Sequence, residues 1–359
     1  MDITSSLARF DAWFNQSIID RPPVTVKNVW RDGAVPGALP VARHASPRER
    51  QFDADFRVAT FAARLDCWRW IGDTFPCFSP SLGADLSGAV LGAELEFPET
   101  GGSWARHTAT SIAAAGAVPP DLERSPYWQA TRALVDTSLA ASQGRWLTSI
   151  PNLDCNGDAL VALRGPQELS LDLMDDPDGV RAAAERIAPC FKRMHGDLER
   201  RIRAAGQPLV AVDGDVPSHH RMARLGCDFL ALISPKSARN TIYPAIEQHI
   251  AALEFCWWHL DSAGELPHLD WLLAQPGIRG IQWVYGAGRG PASRWIEVYQ
   301  RIQAAGKSIE LLPVSLQDAL DVMPHLRPEG VWIKFFGGLD ATQAEALVAA
   351  AADRSRWRR

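Results

Sequence analysis

Short apolar runs, each followed by a longer stretch with helical spacing, recur along most of the chain. No other feature constrains its fold as strongly. The apolar runs fall at 24–30, 68–73, 145–150, 208–214, 255–261, 280–285, 307–312 and 330–335. Helical spacing occupies 178–205, 235–253, 292–305, 315–326 and 340–352, with Gly206 and Gly306 as C-terminal stops and Ser315 as an N-cap. Strands that alternate with helices predict a parallel sheet with helical crossovers. Eight of them predict an α/β chain built as a single (β/α)8 TIM-like barrel. A doubly wound sheet shares the alternation, but no GxGxxG follows the first run. The expected organisation is an irregular N-terminal lead-in over 1–22, a barrel over 23–353 with an elaborated crossover between strands 2 and 3, and a solvated basic tail over 354–359.

Composition narrows the function classes. Apolar residues at 47% and charged residues at 22% exclude a disordered chain. No apolar run reaches the roughly 18 residues of a membrane span. A net charge of −5 leaves no basic footprint for nucleic acid. The opening Met1-Asp2-Ile3-Thr4 carries no secretory pattern, so a cytoplasmic location is expected. The cysteines at 67, 77, 155, 190, 227 and 256 form no CxxC pair and are expected as free thiols. Fourteen tryptophans predict either an aromatic core or a tryptophan-walled pocket.

In a barrel, chemistry sits at the C-terminal ends of the strands. That rule selects Asp73, Asp154, Asp213 with Asp215, His259 with Asp261, Gln282 with Trp283 and Tyr285, Glu310, and Lys334. His259 and Asp261 lie two apart on one strand and share a face. Such a pair either ligates a metal or works as an acid and base with the carboxylate orienting the imidazole. Trp257 shares that face, so it is expected to wall the pocket together with Trp283. Asp158 is read as a helix cap, His219 and His220 as loop residues, and His268 as a packing residue. The 286–290 loop, Gly-Ala-Gly-Arg-Gly, has the composition of an anion cradle and equally of a plain flexible loop.

The residues also carry a resemblance. Gly72-Asp73-Thr74-Phe75-Pro76, Asn152-Leu153-Asp154 with Leu163-Arg164-Gly165, Cys227-Asp228-Phe229 leading to Ile233-Ser234-Pro235, Trp257-Trp258-His259-Leu260-Asp261, and Gln282-Trp283-Val284-Tyr285-Gly286 occur in one order. This set, over about residues 7–350, resembles the uroporphyrinogen decarboxylase (URO-D) superfamily. It is most similar to an uncharacterised bacterial branch often labelled a trimethylamine corrinoid protein.

The resemblance implies a TIM-like barrel enzyme acting on a small molecule, with methyl transfer of the corrinoid and thiol type ahead of decarboxylation of a polycarboxylate or tetrapyrrole-like substrate. A non-catalytic barrel that binds a ligand or a corrinoid protein is the third reading. It implies catalytic roles for His259, Asp261, Asp154 and Asp228, and substrate contacts from Trp30, Asp73, Trp257, Gln282, Trp283, Tyr285 and Glu310. It also implies a divalent metal, zinc, bound through His259 and Asp261, and a corrinoid carried by a partner protein. Two features depart from the zinc methyltransferases. His259-Leu260-Asp261 stands where they have His-x-Cys, and Phe335-Phe336-Gly337-Gly338 follows strand eight where they have a cysteine. Arg31, Arg43 and Arg48 match the arginine loop of the decarboxylases poorly. Ser262, Ala263 and Glu265 replace the branch's usual Gly, Pro and Leu.

Overall fold

The structure is a computed structural model that describes residues 3–358 apart from 118–120, 213 and 215. Its strands in chain order are β1 (Val24–Val26), β2 (Ile71–Gly72), β3 (Cys77–Phe78), β4 (Glu94–Glu96), β5 (Trp104–Arg106), β6 (Leu147–Ile150) and β7 (Val210–Val212). They continue with β8 (Val216–Ser218), β9 (Met222–Gly226), β10 (Phe255–Asp261), β11 (Ile278–Val284), β12 (Ser308–Leu311) and β13 (Val331–Phe335). The fold is mixed α/β with a central sheet of mainly parallel strands. That sheet runs β2-β1-β13-β12-β11-β10-β9, and every pair except β1–β2 is parallel. A second sheet runs β3-β6-β7-β8, and β4 and β5 form a separate hairpin. Among the described residues, backbone ladders do not join the two main sheets into one closed ring of eight.

Seven of the eight expected parallel strands lie where hydrophobic patterning placed them, with β1 and β7 each cut to three residues of a longer run. The run 68–73 does not behave as expected. Only Ile71 and Gly72 pair, and they pair antiparallel to β1, so this is an edge strand. Strand β9 was hidden, because Met-Ala-Arg-Leu-Gly is too short and mixed to stand out from the loop before it. The carboxylates Asp213 and Asp215 lie outside the described residues.

The lead-in is not irregular. Residues Ile3–Phe14 form helix α1, which buries Phe10, Trp13 and Phe14. Trp13 meets Trp257 and Trp332 edge-on, and its indole donates to the Ile309 carbonyl. The ring approaches the sheet closely enough to require Gly280, where an added Cβ would come within 3.0 Å of its outer edge. Asp73 anchors the same helix. Buried completely, it accepts from Ser6, Arg9, Arg21 and the Val24 amide, so it is a structural residue and not a substrate ligand. The tail also docks: Trp357 is buried and its indole donates to Ala351. The long helical patterns break where proline removes an amide donor, giving Pro177–Ile187 before Pro189–Ala204 and Pro235–Thr241 before Tyr243–Ala251. No helix among the described residues is long and apolar enough to cross a membrane.

Candidate functional site

Register builds the site. Strand pairing puts Gly226, His259, Gln282 and Glu310 in one row across β9, β10, β11 and β12. In a parallel ladder, neighbours in a row point to the same face. The row is therefore a continuous polar band, and Lys334 on β13 reaches it from the side.

The band orients its histidine. Glu310 is fully buried and accepts from Lys334 Nζ at 2.8 Å and Trp257 Nε1 at 2.9 Å. Its remaining short contact is with Gln282 Nε2. A carboxylate accepts, so the amide nitrogen must face Glu310 and the amide oxygen must face the other way. Arg224, which only donates, meets that oxygen at 3.0 Å. His259 Nδ1 contacts the same oxygen and must therefore carry the proton. In the neutral imidazole Nε2 then carries the lone pair, on the side of Asp228.

Asp228 and Asp261 face that lone pair. Asp228 opens the 3-10 turn Asp228–Leu232 after β9, and its Oδ1 lies 3.8 Å from His259 Nε2. That is too long for a hydrogen bond and leaves room for a bridging atom. Asp261 ends β10 two residues beyond His259. Ligand atoms of Asp228, His259 and Asp261 all lie within 4.8 Å of one another. Burial, and then the Asp228 charge, raise the Asp261 pKa.

Two more carboxylates stand behind this cluster. Asp158 sits in the first turn of the helix Gly157–Arg164, but the cap is Asn156. Asp158 instead accepts from the Asp228 and Phe229 amides at 3.0 and 2.9 Å, which pins the turn carrying Asp228. Burial and the Asp228 charge push its pKa up to about 7. Glu265 is fully buried, and its Oε1 accepts from the Asp261 amide. Its Oε2 has no partner. Burial, followed by the charges of Asp228 and Asp158, pushes its pKa up to about 10, so it is a neutral acid at pH 7.

The cluster separates two cavities. Asp228 and His259, with Asn152, Asp158, Arg224 and Gly226, line one of about 470 Å³. Asp261 lines the other, of about 670 Å³, with Tyr285, the 286–288 turn, Lys334 and the ring of Phe336. Residues of the glycine-rich loop border the second cavity.

The remaining candidates disperse. Trp257 and Trp283 are buried in the core, and among the described residues no tryptophan lines either cavity, so the expected tryptophan wall does not form there. Trp257 faces the aromatic side chains of α1, and Trp283 packs edge-on against Trp295. Trp30 is exposed and donates to Ala34, away from both cavities. Asp154 is buried behind the first cavity, where Oδ2 accepts from the Gly226 amide. Tyr285 donates to the Leu312 carbonyl at the second cavity. Gln282 and Glu310 stand behind His259 as positioning groups. His220 pairs with Glu254 on the surface, and His268 bridges Tyr243 and the Ile233 carbonyl as a packing residue. Arg224 and Glu265 were missed. Arg224 lies on the hidden strand β9, and its one legible signal was its place four residues before Asp228.

The sequence matches no protein-family model, and no curated protein matches it. Its fold is similar to that of a methyltransferase from Methanosarcina mazei, with a TM-score of 0.61, 13% identity and 98% of each chain covered.

Proposed function

We propose that the protein is a methyltransferase of the uroporphyrinogen decarboxylase superfamily, a single (β/α)8 barrel over 23–353 that works in the cytoplasm. Asp228, His259 and Asp261 would hold a divalent cation, zinc first among them. One observation carries this reading: an imidazole nitrogen with its lone pair exposed and two carboxylates converge at the boundary of two cavities. The donor set fits. Two carboxylates held this close repel each other, and a cation relieves that repulsion. Nitrogen and oxygen ligands suit zinc as well as harder ions. No thiolate takes part, because the cysteines next to the site, Cys227 and Cys256, are fully buried with pKa values raised by burial. When bound, the cation would lower the pKa of a thiol acceptor.

The protein's own groups then do the rest. Gln282, held by Glu310 and Arg224, keeps His259 in its Nδ1-protonated tautomer. Asp158 holds Asp228 in place. Each of two cavities reaches part of the cluster, and donor and acceptor would approach through them. A corrinoid on a partner protein is the proposed methyl donor. Decarboxylation of a polycarboxylate fits less well. Asp85, Asp158 and Asp228 line the first cavity against a single cation, Arg224, and Arg31 lines a different groove with Asp32 and Glu345.

Calorimetric titration of metal-free protein with zinc, and with cobalt(II) as a spectroscopic probe, tests the reading. One ion per chain is expected, and His259→Ala should lose about 100-fold or more in affinity. Methylation of a small thiol by methylcobalamin should be lost in the same variant. Undiminished zinc binding by His259→Ala would falsify the assignment.

A further inference from the structure

Helix α3 (Ala54–Arg64) follows the short helix α2 (Pro47–Phe52), and one of its sides is only partly packed against the core. Arg57, Thr60, Phe61 and Arg64 recur at i, i+3, i+4 and i+7, so they share one side of the helix. Only Val58 of this helix is buried. The side opens on a cavity of about 540 Å³ bounded by α3, β3 and Trp68, within the range of small-molecule sites.

Three features of its lining point to one kind of occupant. Its charges are all positive: Arg50, Arg57 and Arg64 line it and no acidic residue does, in a chain whose net charge is −5. Arg50 bridges the exposed Glu99 at 3.2 Å. Arg57 has no carboxylate partner among the described residues, and neither has Arg64. The Arg57 guanidinium donates to three carbonyls, of Gln51, Ser79 and Ser81, which leaves Nε–H and one Nη1–H unspent. Burial alone lowers its pKa to about 10, the mark of a desolvated cation without a counter-charge. Next, Thr60 Oγ1 is buried without a hydrogen-bond partner. Finally, the walls are aromatic. Phe61 lies 5.5 Å from Phe78 and 5.9 Å from Trp68, and Phe56 completes the rim.

We propose that this cavity is a second binding site, separate from the His259 cluster, for a flat aromatic anion: a ring laid against the packed Phe61, Trp68 and Phe78 side chains, with phosphate or carboxylate oxygens on Arg57 and Arg64. Guanidinium groups bind such oxygens in pairs, and aromatic walls select a planar body. Segment 79–81 is a partition, since Ser79 lines this cavity and Ser81 the main one.

Calorimetry on the full chain with ADP and with phthalate tests the site and separates the phosphate source from the carboxylate source. At least one should bind with a Kd below about 1 mM. Adenosine and inorganic phosphate, the two halves of ADP, should each bind about tenfold more weakly than ADP if the phosphate source applies, and benzene and acetate likewise below phthalate if the carboxylate source does. Arg57→Lys keeps the charge and loses the paired donors, and should weaken the anion about tenfold. Arg57 also holds three carbonyls, so Arg64→Gln is the second variant: exposed and without an ion-pair partner, it should weaken binding with Tm unchanged. The proposal is overturned if neither ADP nor phthalate binds, if the halves bind as well as the whole, or if Arg64→Gln and a folded Arg57→Lys bind like wild type.

Discussion

Two adjacent rows of the same sheet face do opposite jobs. Arg224, Trp257, Gly280 and Ser308 form one row; two residues further along the strands, Gly226, His259, Gln282 and Glu310 form the next. The rows are separated by about 6.6 Å along the strands. From Trp257 to Ser308 the first is sealed by α1, whose Trp13 covers Gly280 and accepts from Ser308 through its carbonyl, while Arg224 at its end lines the first cavity. The second is covered at Gln282 and Glu310, both fully buried, and opens to a cavity at Gly226 and His259. What a row becomes therefore depends on what packs over it, since both rows lie on the same face of the same strands. Trp257 joins the two, with its ring among the aromatic side chains of α1 and its indole N–H on Glu310.

Trp13→Ala strikes the sealed row and should have the largest effect. An unfilled cavity of that size costs about 3–5 kcal/mol. Thermal unfolding should show a lower Tm, while zinc binding per folded molecule is unchanged. Weakened zinc binding in the folded fraction would mean that the rows are not independent. Glu310→Gln strikes the junction. It leaves Lys334 buried against a neutral partner and frees the Gln282 amide to turn, so about 3 kcal/mol of stability should go. Zinc affinity should fall roughly tenfold or more through the lost histidine orientation. Stability lost with zinc affinity intact would show that Glu310 supports packing alone.

Glu265→Gln addresses the open row through pH. The folded chain holds the Glu265 proton up to about 10, whereas the unfolded chain releases it near 4.5. Its contribution to stability is therefore complete below 4.5 and declines as pH rises toward 10. The glutamine cannot ionise, so its Tm should exceed that of wild type at pH 8 by roughly 2–8 °C, with the gap closing at pH 4.5. A gap that is constant with pH would contradict a protonated Glu265. The smallest effect belongs to His220→Ala outside both rows. Its exposed pair with Glu254 is worth under about 1 kcal/mol, and zinc binding should be untouched.

Much of this contrast was legible before folding. The runs at 255–261, 280–285, 307–312 and 330–335 mark β10 to β13, and the two-residue period puts Trp257, His259 and Asp261 on one face. Where that face is sealed was not legible. Leu7, Phe10 and Phe14 have helical spacing, but nothing local says that the helix docks on the sheet with Trp13 against Trp257, which the strand pattern alone placed with Trp283 among the pocket walls. Asp73 shows the same limit. Its strand-end position suggested substrate binding, and only the approach of Arg9 and Arg21 from α1 and the loop after it makes it an anchor.

Local patterning thus determined the alternation of strands and helices, the polar ends of the strands, and the stops and caps, because each depends on neighbours a few residues away. The tertiary structure alone decided that Asp228 stands beside His259, that Asp154 stays buried behind the cavity, and that Glu265 loses its water. Those outcomes depend on the pairing of β9 with β10 and on the turn that follows it. Pairing is settled by long-range packing, which can bring any strand end beside any other, whereas the two-residue period of a strand records only which of its own residues share a face.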